Sequence, residues 1–142
     1  MFSYENVIET LGGTRALGRR LRSVGELEEA VGEGLPRRAL DHVLEFLVDE
    51  DARPRFRNRV IPRASYQRSP RLSPVYSATT ERLARIVALS RWLWEDDTKA
   101  KKFLWTPHPE LGGRAPVEAA LTELGARQVE EVIDRGVHGL PV

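Results

Sequence analysis

An all-α fold is the expectation for this chain, and three observations lead to it. Apolar residues recur with a period of about 3.6 residues, no segment alternates with a period of two, and proline, glycine and Ser/Thr stand where helices start and stop. Tyr4 to Leu11 reads as a short helix closed by Gly12 and Gly13, and Thr14 is suited to cap a second helix running to about Arg22. Ser23 can cap a third, "GELEEAVGEG", which ends at its glycines. Pro36 then suits the first position of a fourth helix, on which Leu40, Val43, Leu44 and Leu47 fall at i, i+3, i+4 and i+7, one apolar stripe reaching to about Val48.

The pattern breaks over residues 49–75, "DEDARPRFRNRVIPRASYQRSPRLSPV", with four prolines and seven arginines. Pro54, Pro62, Pro70 and Pro74 leave room only for short helical pieces between them. Ser73 and Pro74 read as cap and first position of the longest helix, whose face carries Leu83, Ile86, Val87, Ser90, Leu93 and Trp94. Apolar residues surround this helix more widely than one stripe needs, which fits either a buried central helix or a dimerisation surface. Thr98 is suited to cap the next helix, ending in Phe103, Leu104 and Trp105. In "TPHPELGGRAPVEAAL", Pro107 and Pro109 hold the chain extended, Gly112 and Gly113 permit positive φ, and Pro116 restarts a short helix, with Arg114 at the apex. Gly125 precedes a last helix carrying Ala126, Val129, Val132 and Ile133, and "DRGVHGLPV" cannot continue it far.

Composition bounds the function. The chain has 142 residues, 41% of them apolar, enough for one core or two very small ones. It has no cysteine, which excludes disulfides and thiolate metal sites. No stretch approaches the roughly 18 uncharged apolar residues of a membrane span, and Glu5 stands where a signal peptide would be basic, so a cytoplasmic protein without membrane association is expected. His42, His108 and His138 fit no metal signature, and neither a Gly-rich phosphate loop nor a nucleophile elbow is present. The expectation is a protein with no catalytic residues, no metal site and no cofactor.

The net charge of +1 is unevenly placed: residues 1–50 carry 6 basic and 10 acidic side chains, residues 51–90 carry 9 and 2, and residues 91–142 carry 7 and 9. A middle segment at +7 against flanks at −4 and −2 is the footprint phosphate backbones attract, or else a solvated arginine-rich loop.

The tail "FLWTPHPELGGRAPVEAALTELGARQVEEVIDRGVHG" closely resembles the toxin-binding domain at the C-terminus of the Xre/MbcA/ParS antitoxins, with its Trp, "TP.P.LGGR.P.E", "GA..VE" and glycine-containing end. The opening "LGG...LGR" and "GLP..AL" is similar to the Xre and ParS branch, and "VIPRASYQR....RLSP" is similar to the turn and second helix of that family's Xre-like helix-turn-helix. The resemblance implies two parts: an Xre-like helix-turn-helix N-terminal domain over residues 1–72 and a small helical toxin-binding domain over residues 73–142.

It also implies a partner, a RES-domain toxin that degrades NAD or uses it for ADP-ribosylation, in a type II toxin-antitoxin system. The antitoxin would act by steric occlusion. Trp105 and Arg114 would shape the contact, and the tail, Val137, His138, Gly139, Leu140, Pro141 and Val142, would block the pocket in which the toxin binds NAD. For Arg114 a purely local role, pairing with Glu118 in a tight turn, is the alternative. The family commonly represses its own operon, and Arg63, Ser65, Tyr66, Gln67 and Arg68 lie where its pattern puts the recognition helix, with Arg55, Arg57 and Arg59 positioned for phosphates. "ARPRFRN", with Pro54 in it, departs from the apolar first helix of that motif, so a basic lobe that does not read DNA is the competing expectation. The resemblance favours a homodimer within a toxin-antitoxin hetero-oligomer. A stand-alone helix-turn-helix transcriptional regulator is the rival reading; it accounts for the basic middle and leaves the tail motif without a purpose.

Overall fold

The computed structural model describes residues 1–139 and 142, and the architecture is all-α. In chain order the helices are α1 (Tyr4–Thr10), α2 (Gly13–Leu17), α3 (Val24–Glu33), α4 (Arg37–Leu47), α5 (Arg53–Val60), α6 (Arg63–Arg68), α7 (Pro74–Trp94), α8 (Asp97–Trp105), α9 (Pro116–Ala119) and α10 (Glu123–Val137). Among the described residues the only extended pairing is an isolated antiparallel bridge between Pro36 and Arg71.

α7 is the organising element. Ser73 caps it through a hydrogen bond from the Tyr76 amide, Pro74 sits in the first turn, and Glu95 ends it at φ 52°. It packs against α1, α3, α4, α5, α8 and α10, so its wide apolar surface is a buried centre. Leu83, Ile86 and Val87 are each 1% exposed, whereas Trp94 is 36% exposed and turns out of the core. Its buried hydroxyls are satisfied locally: Thr80 and Ser90 donate to the carbonyls four residues back, and Ser77 accepts from the Leu35 amide at 2.7 Å. One cluster of buried side chains runs from Val7 in α1 through Leu40 and Leu44 in α4 to Val132 and Ile133 in α10. The expected boundary at residues 72 and 73 is therefore the N-cap of a helix that both sides share.

Several boundaries differ from the sequence expectations, each for a local reason. The second helix ends at Leu17 because Gly18 adopts φ 76°, a left-handed C-cap, so the expected extension to Arg22 does not form. Pro36 is the N-cap of α4 rather than its first residue. Asp96, not Thr98, caps α8, its carboxylate accepting from the Lys99 amide at 2.9 Å. Thr122 caps α10 by accepting from the Gly125 amide, which places Gly125 inside the first turn instead of before the helix. There a Cβ would overlap the Ala119 carbonyl oxygen, so this glycine serves the close approach of α9 to α10.

Candidate functional site

The C-terminal loop is built from short bonds around Leu111, which is 1% exposed. Pro109–Leu111 forms one 3₁₀ turn, capped by His108 accepting from the Glu110 amide at 3.2 Å, where an extended segment was expected. The His108 amide donates to the Arg114 carbonyl at 3.1 Å and the Gly113 amide donates to the His108 carbonyl at 3.1 Å, closing the loop on itself. Gly112 and Gly113, at φ 66° and 81°, occupy its apex, with open space where side chains would be. Arg114 stands at the closing pair rather than at the apex.

Nor does Arg114 pair with Glu118. Its Nε donates to the Leu111 carbonyl at 2.8 Å and its Nη2 to Gln128 Oε1 at 2.8 Å, which locks the exposed loop onto α10. Glu110 and Arg135 form a second tie between the same elements. Glu118 instead meets Arg59 of α5 at 3.3 Å. The loop is thus held by its own backbone, by Arg114 and by α10, and it presents two bare glycines.

Trp105 lies elsewhere. Its indole N–H donates to the Leu47 carbonyl at 2.9 Å, and its ring meets Phe56 edge-on with centroids 5.5 Å apart. That carbonyl belongs to the last turn of α4, so Trp105 closes the C-terminus of one helix from another. The tail is a third locus. Val137 ends α10 with 44% exposure, the His138 ring bonds the Asp134 carbonyl at 2.8 Å, and Gly139 turns the chain at φ 75°. Val142, 37% exposed, lies against Gly136, whose other neighbour is Leu93. Leu140 and Pro141 fall outside the described residues.

In the basic segment, Pro54 sits in the first turn of α5, where its missing N–H is not needed, and Phe56 and Val60 bury the inner side. Residues 61–62 then turn the chain into α6, none of whose residues is buried. Tyr66 anchors it. The phenol donates to the Asp41 carboxylate, with its oxygens at 2.7 and 2.8 Å, while the Arg57 and Arg37 guanidinium groups lie 4.5 and 5.2 Å from the ring centroid. Burial, the Asp41 hydrogen bond and the Asp41 charge push the Tyr66 hydroxyl above its ordinary pKa of 10.0, so it remains a donor. Arg57 Nε also meets Asp41 at 3.3 Å. Tyr66 and Arg57 are thereby engaged internally, while Arg55, Arg59, Arg63, Gln67 and Arg68 are exposed and Ser65 is half-buried.

The expected site residues thus fall into four places: the Trp105 junction, the Arg114 loop, the tail, and the α5 and α6 surface. Sequence reading missed Leu47 and Phe56 as the bed of Trp105, and Asp41 as the partner of Tyr66. The stripe on α4 foretold only that Leu47 is buried, since a backbone carbonyl acceptor leaves no mark in a sequence. Among the described residues no group of three or more His, Asp or Glu is placed to hold a metal ion, and no helix is long and apolar enough to cross a membrane.

Residues 90–139, from the last turn of α7 to the residue after His138, match the family model described as the antitoxin Xre/MbcA/ParS C-terminal toxin-binding domain. No curated protein matches the chain.

Proposed function

From the premise that residues 90–139 belong to the antitoxin Xre/MbcA/ParS C-terminal toxin-binding domain family, we propose that this protein is the antitoxin of a type II toxin-antitoxin pair. Its partner is a RES-domain toxin, and it inhibits by covering the site where that toxin binds NAD. The family match carries this reading, and the form of the matched segment supports it. A loop braced by Arg114, with exposed glycines at φ 66° and 81°, is a preset contact surface that costs little ordering entropy on docking. Beyond it, Val137 and Val142 are exposed apolar groups at the end of α10, suited to entering a partner's cleft. The protein's contribution is shape, and it needs no chemistry of its own.

Residues 1–72 form the second functional part in this reading. The turn at residues 61–62 and α6 act as a helix-turn-helix that represses the operon, with Arg63, Ser65, Gln67 and Arg68 facing operator DNA. Tyr66 and Arg57 position α6 through Asp41. The working form is a cytoplasmic homodimer that carries toxin on its C-terminal parts. A stand-alone regulator is the second reading, favoured by the exposed arginines of α5 and α6.

Expression of the adjacent reading frame, with and without this protein, separates the two when growth and cellular NAD are followed. Growth arrest with NAD loss, rescued by co-expression, supports an antitoxin against an NAD-degrading toxin. Rescued arrest with NAD intact points to ADP-ribosylation of a target. Absence of arrest leaves the stand-alone regulator.

A further inference from the structure

Where α4, α5 and α8 meet, the surface holds a groove of about 510 Å³ that neither the tail nor the Arg114 loop lines. Its floor is apolar, formed by Leu47, Phe56 and the Trp105 indole, and three cations, Arg55, Arg59 and Lys101, line it. Asp49 is the one carboxylate among its lining residues. Arg59 is shared with Glu118, whereas Arg55 and Lys101 pair with no carboxylate among the described residues. The Trp105 ring cannot swing away without losing its bond to the Leu47 carbonyl and its edge contact with Phe56. The groove is therefore preformed.

We propose that this groove docks an acidic segment of the toxin that carries one apolar anchor residue, an inference that rests on the antitoxin reading. The occupant follows from charge and floor together. Cations outnumbering carboxylates three to one attract a negatively charged chain, and a floor of Leu, Phe and Trp takes an apolar side chain rather than a phosphate. Asp49 opposes a nucleic-acid backbone at the same place. Position supplies the link to the toxin. Lys101 and Trp105 lie within the matched residues 90–139, while Leu47, Arg55, Phe56 and Arg59 lie outside them, so the groove extends the toxin contact onto α4 and α5. Trp105 acts here as a hot spot, a fixed aromatic ring inside a cationic rim.

The test uses the full chain co-expressed with a catalytically silent form of the adjacent reading frame's product. A photo-crosslinking p-benzoylphenylalanine is placed at position 55 in one preparation and at position 138 in another. The expected result is a position-55 cross-link to an acid-rich stretch of the toxin. Alongside it, Arg55→Glu with Lys101→Glu should weaken complex formation at least tenfold at low salt, less at high salt, with the helical circular dichroism unchanged. Cross-linking from 138 but not from 55, with the charge-reversed variant binding within twofold of the parent, overturns the groove inference and leaves the antitoxin reading standing. Loss of the position-55 cross-link to added operator DNA, while the toxin stays bound, assigns the cations to nucleic acid and also overturns it. Failure of the unmodified chain to bind the product at all removes both.

Discussion

Tyr66 shows how one side chain decides what its helix can do. α6 buries no residue, so its seat depends on the phenol bonded to Asp41 and on the guanidinium groups of Arg57 and Arg37 around the ring. Tyr66→Phe keeps the ring and removes the donor, and should cost about 1.5 to 3 kcal/mol in unfolding free energy measured with urea, the range for a bond to a charged acceptor. Operator affinity should fall with it, although the hydroxyl itself touches no DNA in this account. Glu81 offers a second residue test. Burial, and to a lesser degree the charge of Glu130, raise its pKa above the ordinary 4.5 against the opposing pull of Arg85 and Arg82. The folded state thus favours the protonated carboxyl. Its contribution to stability is fully present below about pH 4.5 and is lost as pH rises through the raised value. Glu81→Gln should abolish that decline and be the more stable protein at neutral pH. Parallel stability curves for the two proteins between acid and neutral pH would refute the assignment.

At the scale of elements, two glycines of opposite kind give a controlled comparison. Gly125→Ala puts a methyl into the Ala119 carbonyl oxygen where α9 meets α10, and should destabilise by several kcal/mol, on the order of an overpacked core position. Gly32→Ala, in an open position of α3, should stabilise by about 0.5 to 1 kcal/mol through helix propensity alone. Thermal midpoints moving in opposite directions would bear out both. Asp96→Ala should cost about 1 kcal/mol by uncapping α8, whereas Thr98→Ala should cost little. This last pair marks what the sequence could disclose. Long amphipathic stretches such as α4, α7 and α10 were legible because period 3.6 survives any packing. Caps were ambiguous wherever two candidates stood close together: Asp96 and Thr98 are both good caps, and only the path of the chain before α8 chooses between them. Gly125 read as lying before the last helix because sequence cannot tell a glycine that precedes a helix from one that sits inside its first turn and lets a neighbouring helix come close.

The whole molecule joins these pieces through α7, which lies in one core with helices from both halves, so the basic surface and the C-terminal loop are held in a fixed relation. The loop motif around Gly112, Gly113 and Arg114 was legible by residue type and spacing. Its bracing by Gln128 was not, because the partner lies on a helix formed later in the chain. Trp105 could be singled out but not placed, since its bed is assembled from α4 and α5. Deleting residues 137–142 should leave the fold intact, because the core side of α10 ends at Ile133, and should sharply reduce neutralisation of the toxin. Undiminished protection by the truncated chain would exclude the tail as the blocking element.

The most direct measurement is calorimetric titration of the purified protein into a catalytically silent form of the adjacent reading frame's product, with hydrogen exchange followed on the mixture. Saturable binding that protects residues 105–114 and the end of α10 is the expected result. Absence of binding, or binding that protects only α5 and α6, would contradict it.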